Sequence, residues 1–472
     1  MTIDAGGLRE TRAVRDDLTA SLAFVVLLGL GTSNNNGHWS KLSFAIVFAA
    51  LLLMGWGFVA ALRGRGSAAP GARWAPYHPY LVLALLAAMP LTALLDARLL
   101  PADALARFGA GRALEAASLL LLATYVPFAS GARSEPARWR TGRFALFGAI
   151  VAATGVLAIR LSREPDIDVW TIQARAAELL LEGKNPYVWI AVPTSDQADA
   201  FTVVYNYPPI SIYLAIAGRL LGGDPRYGLL ATIVAAGFAL RAIARSGAPR
   251  EGKGRPAIID DAAALSFWLW SPLVFVIDRA WIDPLQVALV AFAVLAYVRQ
   301  RETLAAVVLG VALTSKQSMF WLVPLAFVFL RWDVKRWAAF AAGALAPLLP
   351  FLVWDAARLK HNLFDFMAGL GPRHDALCFT AFVHHAFGAA FPHVTGFLLG
   401  GVVIAAAWWR RPPPGDRHES VLAFARATTA AYYVFFFFNR WMFANYYCTV
   451  AGFAAITAAV AAARSSGGES AR

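Results

Sequence analysis

Long apolar runs alternate with short polar stretches along almost the whole chain. Fifteen such runs can be distinguished, at about residues 18–32, 42–62, 79–95, 113–129, 143–160, 206–222, 226–244, 262–277, 284–299, 303–314, 318–330, 337–354, 394–409, 421–438 and 444–463. An α-helix needs roughly 20 apolar residues to cross the hydrocarbon core of a bilayer, and several runs approach this length. The pattern therefore predicts a bundle of membrane-spanning helices. The short first run is read as a span or a signal anchor.

The composition agrees with this pattern and excludes two other classes of protein. Apolar residues make up 59% of the 472 residues and charged residues 15%, whereas a soluble domain has about 25% charged residues. An ordinary soluble enzyme is therefore excluded, and so is a disordered chain, which has few apolar residues. We expect one multi-pass membrane domain over residues 1–472. Cys378 and Cys448 are too few for a disulfide framework, so two buried thiols are expected, with a single bridge as the alternative.

Lysine and arginine are concentrated in the polar stretches, and the net charge is +13. Because cytoplasmic loops carry an excess of these residues, the dense stretches indicate which loops are cytoplasmic. These stretches are residues 63–73, 133–143, 245–255, 331–336 and 410–417. The side of the membrane on which each loop lies can be assigned by following the chain from either terminus. The two assignments agree only if one of the runs 206–222 and 226–244 does not cross the membrane. The run 206–222 is the better choice because Tyr207-Pro208-Pro209 opens it and Gly222-Gly223-Asp224-Pro225 ends it.

The predicted fold is an all-α polytopic membrane protein with about 13 to 14 transmembrane helices and both termini in the cytoplasm. The run 206–222 then forms an interfacial helix on the outer face. Two outer segments are long, residues 161–225 and 355–393, whereas the cytoplasmic connections are short. Functional side chains usually lie on loops that a rigid scaffold holds, so we expect an active site on the outer face.

Two carboxylates, Asp166 and Asp168, follow directly on a predicted span at the start of the first outer segment. A carboxylate in this position can take a proton from a sugar hydroxyl as a general base. The alternative is that the two residues cap the amphipathic helix predicted from Thr171 to Glu182, at its positive end. An Asp-x-Asp pair alone does not separate these two interpretations.

The pair belongs to a longer arrangement, which is Asp166-Ile167-Asp168-Val169-Trp170, a short helix, Gly183-x-Asn185-Pro186-Tyr187 and Tyr207-Pro208-Pro209. This arrangement resembles the first outer loop of the GT-C glycosyltransferases, and within them the bacterial polyprenyl-phosphate-mannose-dependent mannosyltransferases. It is also similar to the eukaryotic enzyme that adds the first mannose to the GPI anchor precursor. Later turns resemble the family more loosely, at Ser271-Pro272 with Asp283, Ser315-Lys316-Gln317, and Asn439-Arg440 with Tyr446. The resemblance covers about residues 155–463.

The resemblance implies a first outer loop that carries the base and has helices lying along the membrane surface. It implies transfer of a hexose, with mannose expected, from a polyprenyl phosphate to a lipid or glycan acceptor, with inversion. Asp166 aligns with the family's base, and Asp168 is the alternative base or a second carboxylate that orients the acceptor. The leaving phosphate needs a nearby cation. The candidates are Lys316, Arg279, Arg373 and Arg440, with Lys316 first.

Lys316, Arg279 and Arg440 have an alternative interpretation, in which each side chain only reaches to the membrane interface and anchors the chain there. Further candidates for substrate binding are Asn185, Tyr187, Tyr207, Asp283, Tyr446 and His384. The histidines between residues 361 and 393 match no zinc-ligand spacing, so a metal site there is not expected. Many lipid-phosphate-dependent relatives need no metal, so the resemblance implies neither a metal nor another cofactor. The Asp-x-Asp pair nevertheless leaves a role for a divalent ion open.

Other functions stay open at this level. A transporter or lipid flippase would also have many spans, but it should show repeated halves and ionisable residues near the bilayer centre. A glycan ligase or polymerase would use similar lipid donors, and a structural membrane subunit would not need Asp166. The expected partners are the lipid-linked donor, the acceptor and membrane lipid, without nucleic acid. The abundance of Ala, Arg and Trp indicates the plasma membrane of a bacterium as the location.

Overall fold

The computed structural model describes residues 5–63, 77–95, 102–131, 135–165, 167–192, 201–247, 255–413 and 416–467. Within these ranges the chain is predominantly α-helical, and strands are confined to one short antiparallel hairpin. The apolar runs of the sequence coincide with helices, because a helix satisfies its backbone polar groups internally where water is absent. The chain is an all-α membrane protein.

The helices are α1 (Ala5–Ser33), α2 (Lys41–Leu62), α3 (His78–Leu95), α4 (Ala102–Ala123), α5 (Val126–Ala129), α6 (Ala137–Leu161), α7 (Asp168–Leu181), α8 (Pro209–Gly222), α9 (Arg226–Ala244), α10 (Ala257–Trp268), α11 (Leu273–Asp278), α12 (Asp283–Val298), α13 (Glu302–Leu313), α14 (Leu322–Phe329), α15 (Val334–Lys360), α16 (Phe366–Gly369), α17 (Phe379–Phe387), α18 (Val394–Trp409), α19 (Arg417–Phe437) and α20 (Ala444–Gly467). A 3-10 turn, Gln317–Trp321, precedes α14, and a π-helical turn, His361–Asp365, follows α15. The hairpin consists of β1 (Trp189–Val192) and β2 (Phe201–Val204).

Six of the described helical segments have both the length and the apolar character required to cross a bilayer. They are Lys41–Leu62, Ala137–Leu161, Arg226–Ala244, Val334–Gly369, Arg417–Phe437 and Ala444–Arg464. Shorter apolar helices accompany them, among them α8, α12, α13 and α18. The count of about 13 to 14 spans and the interfacial position of α8 therefore stay predictions.

The basic stretches of the sequence contact one another at one end of the helices. Arg140 donates to the backbone carbonyl of Arg255 at 2.8 Å, and Arg331 donates to that of Pro412 at 2.6 Å. Each bond joins two stretches for which the charge pattern predicts the same side of the membrane. The stretch 63–73 lies outside the described residues except for Arg63.

The two long segments predicted on the outer side meet at the opposite end. The side-chain amide of Asn362 donates to the carbonyl of Tyr205 at 3.3 Å, although 157 residues separate the two positions. Gln317 donates to the carbonyls of Asn206 and Leu363, at 2.6 and 3.1 Å. This grouping fits the two-sided threading, and the orientation itself stays a prediction.

These outer segments share an apolar cluster of their own, separate from the core of the bundle. We call residues 168–192 and 201–222 together with residues 351–366 the outer cap. Its buried side chains are Ile172, Ala176, Tyr187, Ile190, Val192, Val203, Tyr205, Ile212, Phe351, Leu359 and Leu363. The predicted amphipathic helix is α7, which ends at Leu181 just before Gly183 adopts a positive φ of 72°. A glycine at such a position ends a helix without steric penalty.

Two backbone breaks position the segments around the site. Helix α15 is interrupted at Asp355, whose φ and ψ are −162° and 84° and whose carboxylate accepts a bond from the N–H of Arg358. The sequence analysis placed the start of the second outer segment at this residue. The apolar run 262–277 is divided between two helices, α10 and α11. Pro272 explains the break, because it lacks an N–H and disfavours helical geometry at the residue before it.

Close backbone contact brings α8 against α9. A Cβ on Gly218 would lie 2.4 Å from the carbonyl oxygen of Pro225, and one on Gly228 would lie 2.2 Å from that of Leu214. Only glycine at both positions permits this approach. Both cysteines of the chain are buried and free, so the single bridge that the sequence left open is not formed.

Candidate functional site

A buried ion pair brings together three of the predicted site residues. Lys316, in the turn after α13, places Nζ 2.9 and 3.0 Å from the two carboxylate oxygens of Asp283, the first residue of α12. The two residues are only 6% and 1% exposed. Lys316 Nζ also lies 4.1 Å from the ring centroid of Tyr446 on α20. Asp283 therefore neutralises the charge of Lys316. The sequence made Lys316 the first candidate for binding the leaving phosphate, but in the structure it is not a free cation.

Thr449 extends this pair into a buried hydrogen-bond chain. Its hydroxyl lies 2.9 Å from Asp283 Oδ1 and 3.1 Å from the carboxamide oxygen of Gln286. A hydroxyl has one hydrogen and cannot donate to both oxygens, and the carboxamide nitrogen of Gln286 is buried without a partner. A flipped Gln286 amide resolves both points, since its N–H₂ then donates to Thr449, which donates to Asp283.

Asp168 is the first residue of α7 and is half-buried. Its carboxylate accepts a 2.8 Å hydrogen bond from the backbone N–H of Val169, while the N-cap position belongs to Ile167, which makes no side-chain cap. This bond to a free N–H of the first turn agrees with the capping alternative for Asp168, whereas Asp166 lies outside the described residues. Burial raises the pKa of Asp168 above the usual range for a carboxyl, and the positive charge of Arg373 opposes part of that rise.

Tyr207 connects Asp168 to the ion pair. It is close enough to interact electrostatically with Asp168, Tyr446 and Asp283, and burial raises the pKa of its hydroxyl well above the ordinary value. The backbone of this loop is held on two sides. Tyr187 donates from its hydroxyl to the carbonyl of Tyr207 at 3.0 Å, and the Gln317 bond to Asn206 holds the residue before it.

Two arginines from the later segments lie at the same end of the bundle. Arg373 binds Asp375 through two parallel bonds of 2.8 and 2.7 Å and also interacts with Asp168. These bonds raise the pKa of Arg373 and lower that of Asp375. Arg440 donates to the carbonyls of Leu370 and Met367 at 2.6 and 2.7 Å. No carboxylate of the described residues forms an ion pair with Arg440, so its charge is uncompensated there.

The remaining candidates take other positions. Arg279 ends α11, pairs with Asp278 at 3.4 Å and lies over the ring of Phe275. Asn185 accepts a 2.9 Å bond from the N–H of Tyr187 and so closes a turn. Tyr187 is 1% exposed within the apolar cluster of the outer cap. Asn185 and Tyr187 therefore shape the loop, and nothing in the described contacts brings them to the ion pair.

His384 stacks on His374, with the ring centroids 3.6 Å apart. Partial burial and the neighbouring His374 and His385 lower the pKa of His384. The described contacts do not join His384 to the Lys316–Asp283 pair. In the part of the chain that the structure describes, no group of three or more His, Cys, Asp or Glu side chains has the geometry to hold a metal ion.

Asp166 lies outside the described residues, so its assignment as the base stays a prediction. Two residues of the site, Gln286 and Thr449, were not predicted from the sequence. Gln286 and Thr449 lie three positions after Asp283 and Tyr446, which places each on the same helix face as its predecessor. Isolated polar residues on such a face of an apolar helix are the signal that would have identified them.

Comparison with known proteins adds no relative. No protein-family model matches the chain, and no curated protein shows significant sequence similarity to it.

Proposed function

We propose that the chain is a GT-C-type membrane glycosyltransferase. It transfers a hexose, with mannose as the first sugar to test, from a polyprenyl-phosphate donor to a lipid or glycan acceptor at the outer face of a bacterial plasma membrane. The observation that carries the proposal is the convergence of Asp168, Tyr207, Tyr446, Arg373 and the Lys316–Asp283 pair at one end of an apolar helix bundle. A polyprenyl donor requires such a site, because its tail stays in the bilayer while its sugar lies at the surface.

The acidic turn after α6 supplies the base in this proposal. A half-buried carboxyl with a raised pKa is a stronger base than an exposed one, and general bases work best near the operating pH. Asp168 has this character, and Asp166, two residues before it, is the second carboxylate of the turn. The two share the tasks of deprotonating and orienting the acceptor.

Arg440 replaces Lys316 as the preferred cation for the leaving phosphate. Its guanidinium carries a charge that no described carboxylate neutralises, and its planar donors suit phosphate oxygens. Lys316 instead fixes Asp283 and Tyr446 beside the site.

The reaction is a single displacement at the anomeric carbon. The acceptor oxygen forms a bond to this carbon as the bond to the phosphate oxygen breaks, so the configuration inverts. The acceptor proton passes to the aspartate, and the electron pair of the broken bond leaves with the lipid phosphate. Positive charge beside that phosphate stabilises the transition state.

Sugar transfer by purified protein in liposomes tests the proposal. Labelled polyprenyl-phosphate-mannose serves as donor, and a native lipid extract serves as acceptor. Asp166→Asn and Asp168→Asn are compared with Glu164→Gln, a matched control in which an exposed carboxylate of the same turn is changed. We expect the base variant to lose roughly 100- to 10,000-fold in rate and the control to retain it.

Two outcomes would reject parts of this proposal. Transfer that survives both aspartate substitutions would remove the acidic turn from the chemistry. Absence of transfer by the wild-type protein with a panel of lipid-linked hexoses would reject the glycosyltransferase assignment as a whole.

A further inference from the structure

Arg226, the first residue of α9, is completely buried although its guanidinium is charged. It makes bonds of 2.9 and 2.7 Å to the two carboxylate oxygens of Asp224. It also donates to the backbone carbonyl of Ser162 at 2.5 Å and to that of Asp278 at 3.2 Å. These contacts tie the start of α9 to the residue after α6 and to the end of α11.

Asp224 makes a second connection, to the helix that follows the acidic turn. The indole N–H of Trp170 on α7 donates to Asp224 Oδ2, with 3.4 Å between the atoms. The acidic turn, residues 163–168, leaves α6 at Ser162, which Arg226 holds, and enters α7 at Asp168, two residues before Trp170. The Asp224–Arg226 pair therefore holds both ends of the short segment that carries the predicted base.

We propose that Asp224 and Arg226 are positioning residues that set the location of the acidic turn and thereby of its carboxylates. The inference rests on the proposed function, since its kinetic consequence concerns sugar transfer. Neither residue contacts Lys316, Arg373 or Arg440 in the described structure, so the pair acts through the turn rather than on substrate.

The chemistry of the contacts indicates that arginine is required at residue 226. A guanidinium has five donors in a fixed planar fork, which here serve the carboxylate of Asp224 and three backbone carbonyls, those of Ile159, Ser162 and Asp278. A lysine in this place keeps the charge, but its three donors all lie on one nitrogen, so they cannot span the separated acceptors that different nitrogens of Arg226 now bind. Arg226→Lys should therefore release the turn without removing the positive charge.

A matched control is available on the same helix. Arg241, near the other end of α9, pairs with the buried Asp261 at 2.7 Å and is itself mostly buried. Arg241→Lys disturbs an arginine–aspartate pair of similar chemistry far from the acidic turn. An effect seen with Arg226→Lys and not with Arg241→Lys is then due to the location of the Asp224–Arg226 pair beside the turn, because both variants disturb a buried pair.

The first measurement is independent of enzymatic activity. A nitroxide is attached at the exposed position 164 through Glu164→Cys, since both native cysteines are buried. Electron paramagnetic resonance of protein in liposomes then reports the mobility of the turn. We expect a more mobile spectrum with Arg226→Lys and an unchanged one with Arg241→Lys. An unchanged spectrum in folded Arg226→Lys protein would overturn the proposal.

The second measurement is the kinetics of sugar transfer. We expect Arg226→Lys to lower kcat by roughly 10- to 100-fold, because small displacements of a base slow proton transfer, while the KM for the donor changes less than twofold. A loss confined to KM would reject the positioning role. If wild type transfers no sugar, the proposed function fails, whereas the spectral result still decides whether the pair holds the turn.

Asp224→Asn keeps the inference testable if Arg226→Lys does not fold. The carboxamide retains the shape of the side chain but loses one acceptor, so the bond from Trp170 or one of those from Arg226 is lost. We expect intermediate mobility at position 164 and a smaller loss of kcat. Wild-type mobility in this variant would count against the pair as the element that fixes the turn.

Discussion

Arg373 interacts with two carboxylates, Asp375 and Asp168, but with unequal strength. Asp375 takes both of its parallel hydrogen bonds, and Asp168 receives only an electrostatic contribution. That contribution still opposes the rise in the pKa of Asp168 that burial causes. The positive charge of Arg373 therefore lowers the basicity of the Asp168 carboxylate.

Replacing Arg373 by glutamine should move the pH dependence of transfer. Loss of the cation raises the pKa of Asp168 further, so if Asp168 is the base, activity is lost at a higher pH as the solution is acidified. The acidic limb of the kcat profile measures this shift. Arg373→Lys keeps the charge and should leave the limb near its wild-type position. An unmoved limb in Arg373→Gln would assign the titrating base to another residue.

Breaking the Lys316–Asp283 pair from one side should lower the free energy of unfolding. Lys316→Met leaves a buried carboxylate without its counter-charge, and breaking such a pair from one side costs about 3–5 kcal/mol. Lys316→Met combined with Asp283→Leu removes both charges and should recover most of this loss. Thermal unfolding of the purified variants in detergent measures both effects. A double variant no more stable than the single one would contradict this account.

At the scale of elements, the contact between α8 and α9 depends on two glycines. Gly228→Ala places a Cβ against the carbonyl oxygen of Leu214, a backbone atom that cannot move away alone. We expect a lower unfolding temperature and weaker transfer, since α9 also carries Arg226. Gly55→Ala on α2 is the matched control, because its new Cβ meets nothing within 4 Å. That change should be neutral or stabilising by up to about 1 kcal/mol.

Local signals in the sequence predicted several of these elements correctly. Gly183 was predicted to stop the amphipathic helix and follows the end of α7, because glycine adopts a positive φ without steric cost. The predicted apolar run 337–354 ends directly before the non-helical residue Asp355, although α15 continues to Lys360. The pairing of β1 with β2 was not predicted, since the packing of the outer cap stabilises it. Lys316 was recognised as a site residue, but its partner Asp283 lies 33 residues away, and only the tertiary fold shows that the two charges cancel.

At the scale of the whole molecule, contacts group the basic stretches at one end of the helices and the long segments at the other. We therefore expect these two ends to lie on opposite sides of the membrane. Glu164→Cys and Lys335→Cys place single exposed thiols at the two ends, against a background of two buried native cysteines. A membrane-impermeant maleimide added to intact cells should label position 164 and spare position 335 until the membrane is permeabilised. The opposite labelling pattern would reverse the predicted orientation, and labelling of both would reject the two-sided threading.

The separate apolar cluster of the outer cap has a consequence for how the protein responds to heat. A cluster that does not share its side chains with the bundle can open as a unit of its own, with a smaller free energy than global unfolding. Amide hydrogen exchange should therefore be faster in β1 and β2 than in α19 and α20, whose described residues are mostly buried. Since the turn that carries Asp168 enters this cap, warming should abolish activity at temperatures at which the helices in the membrane are still folded.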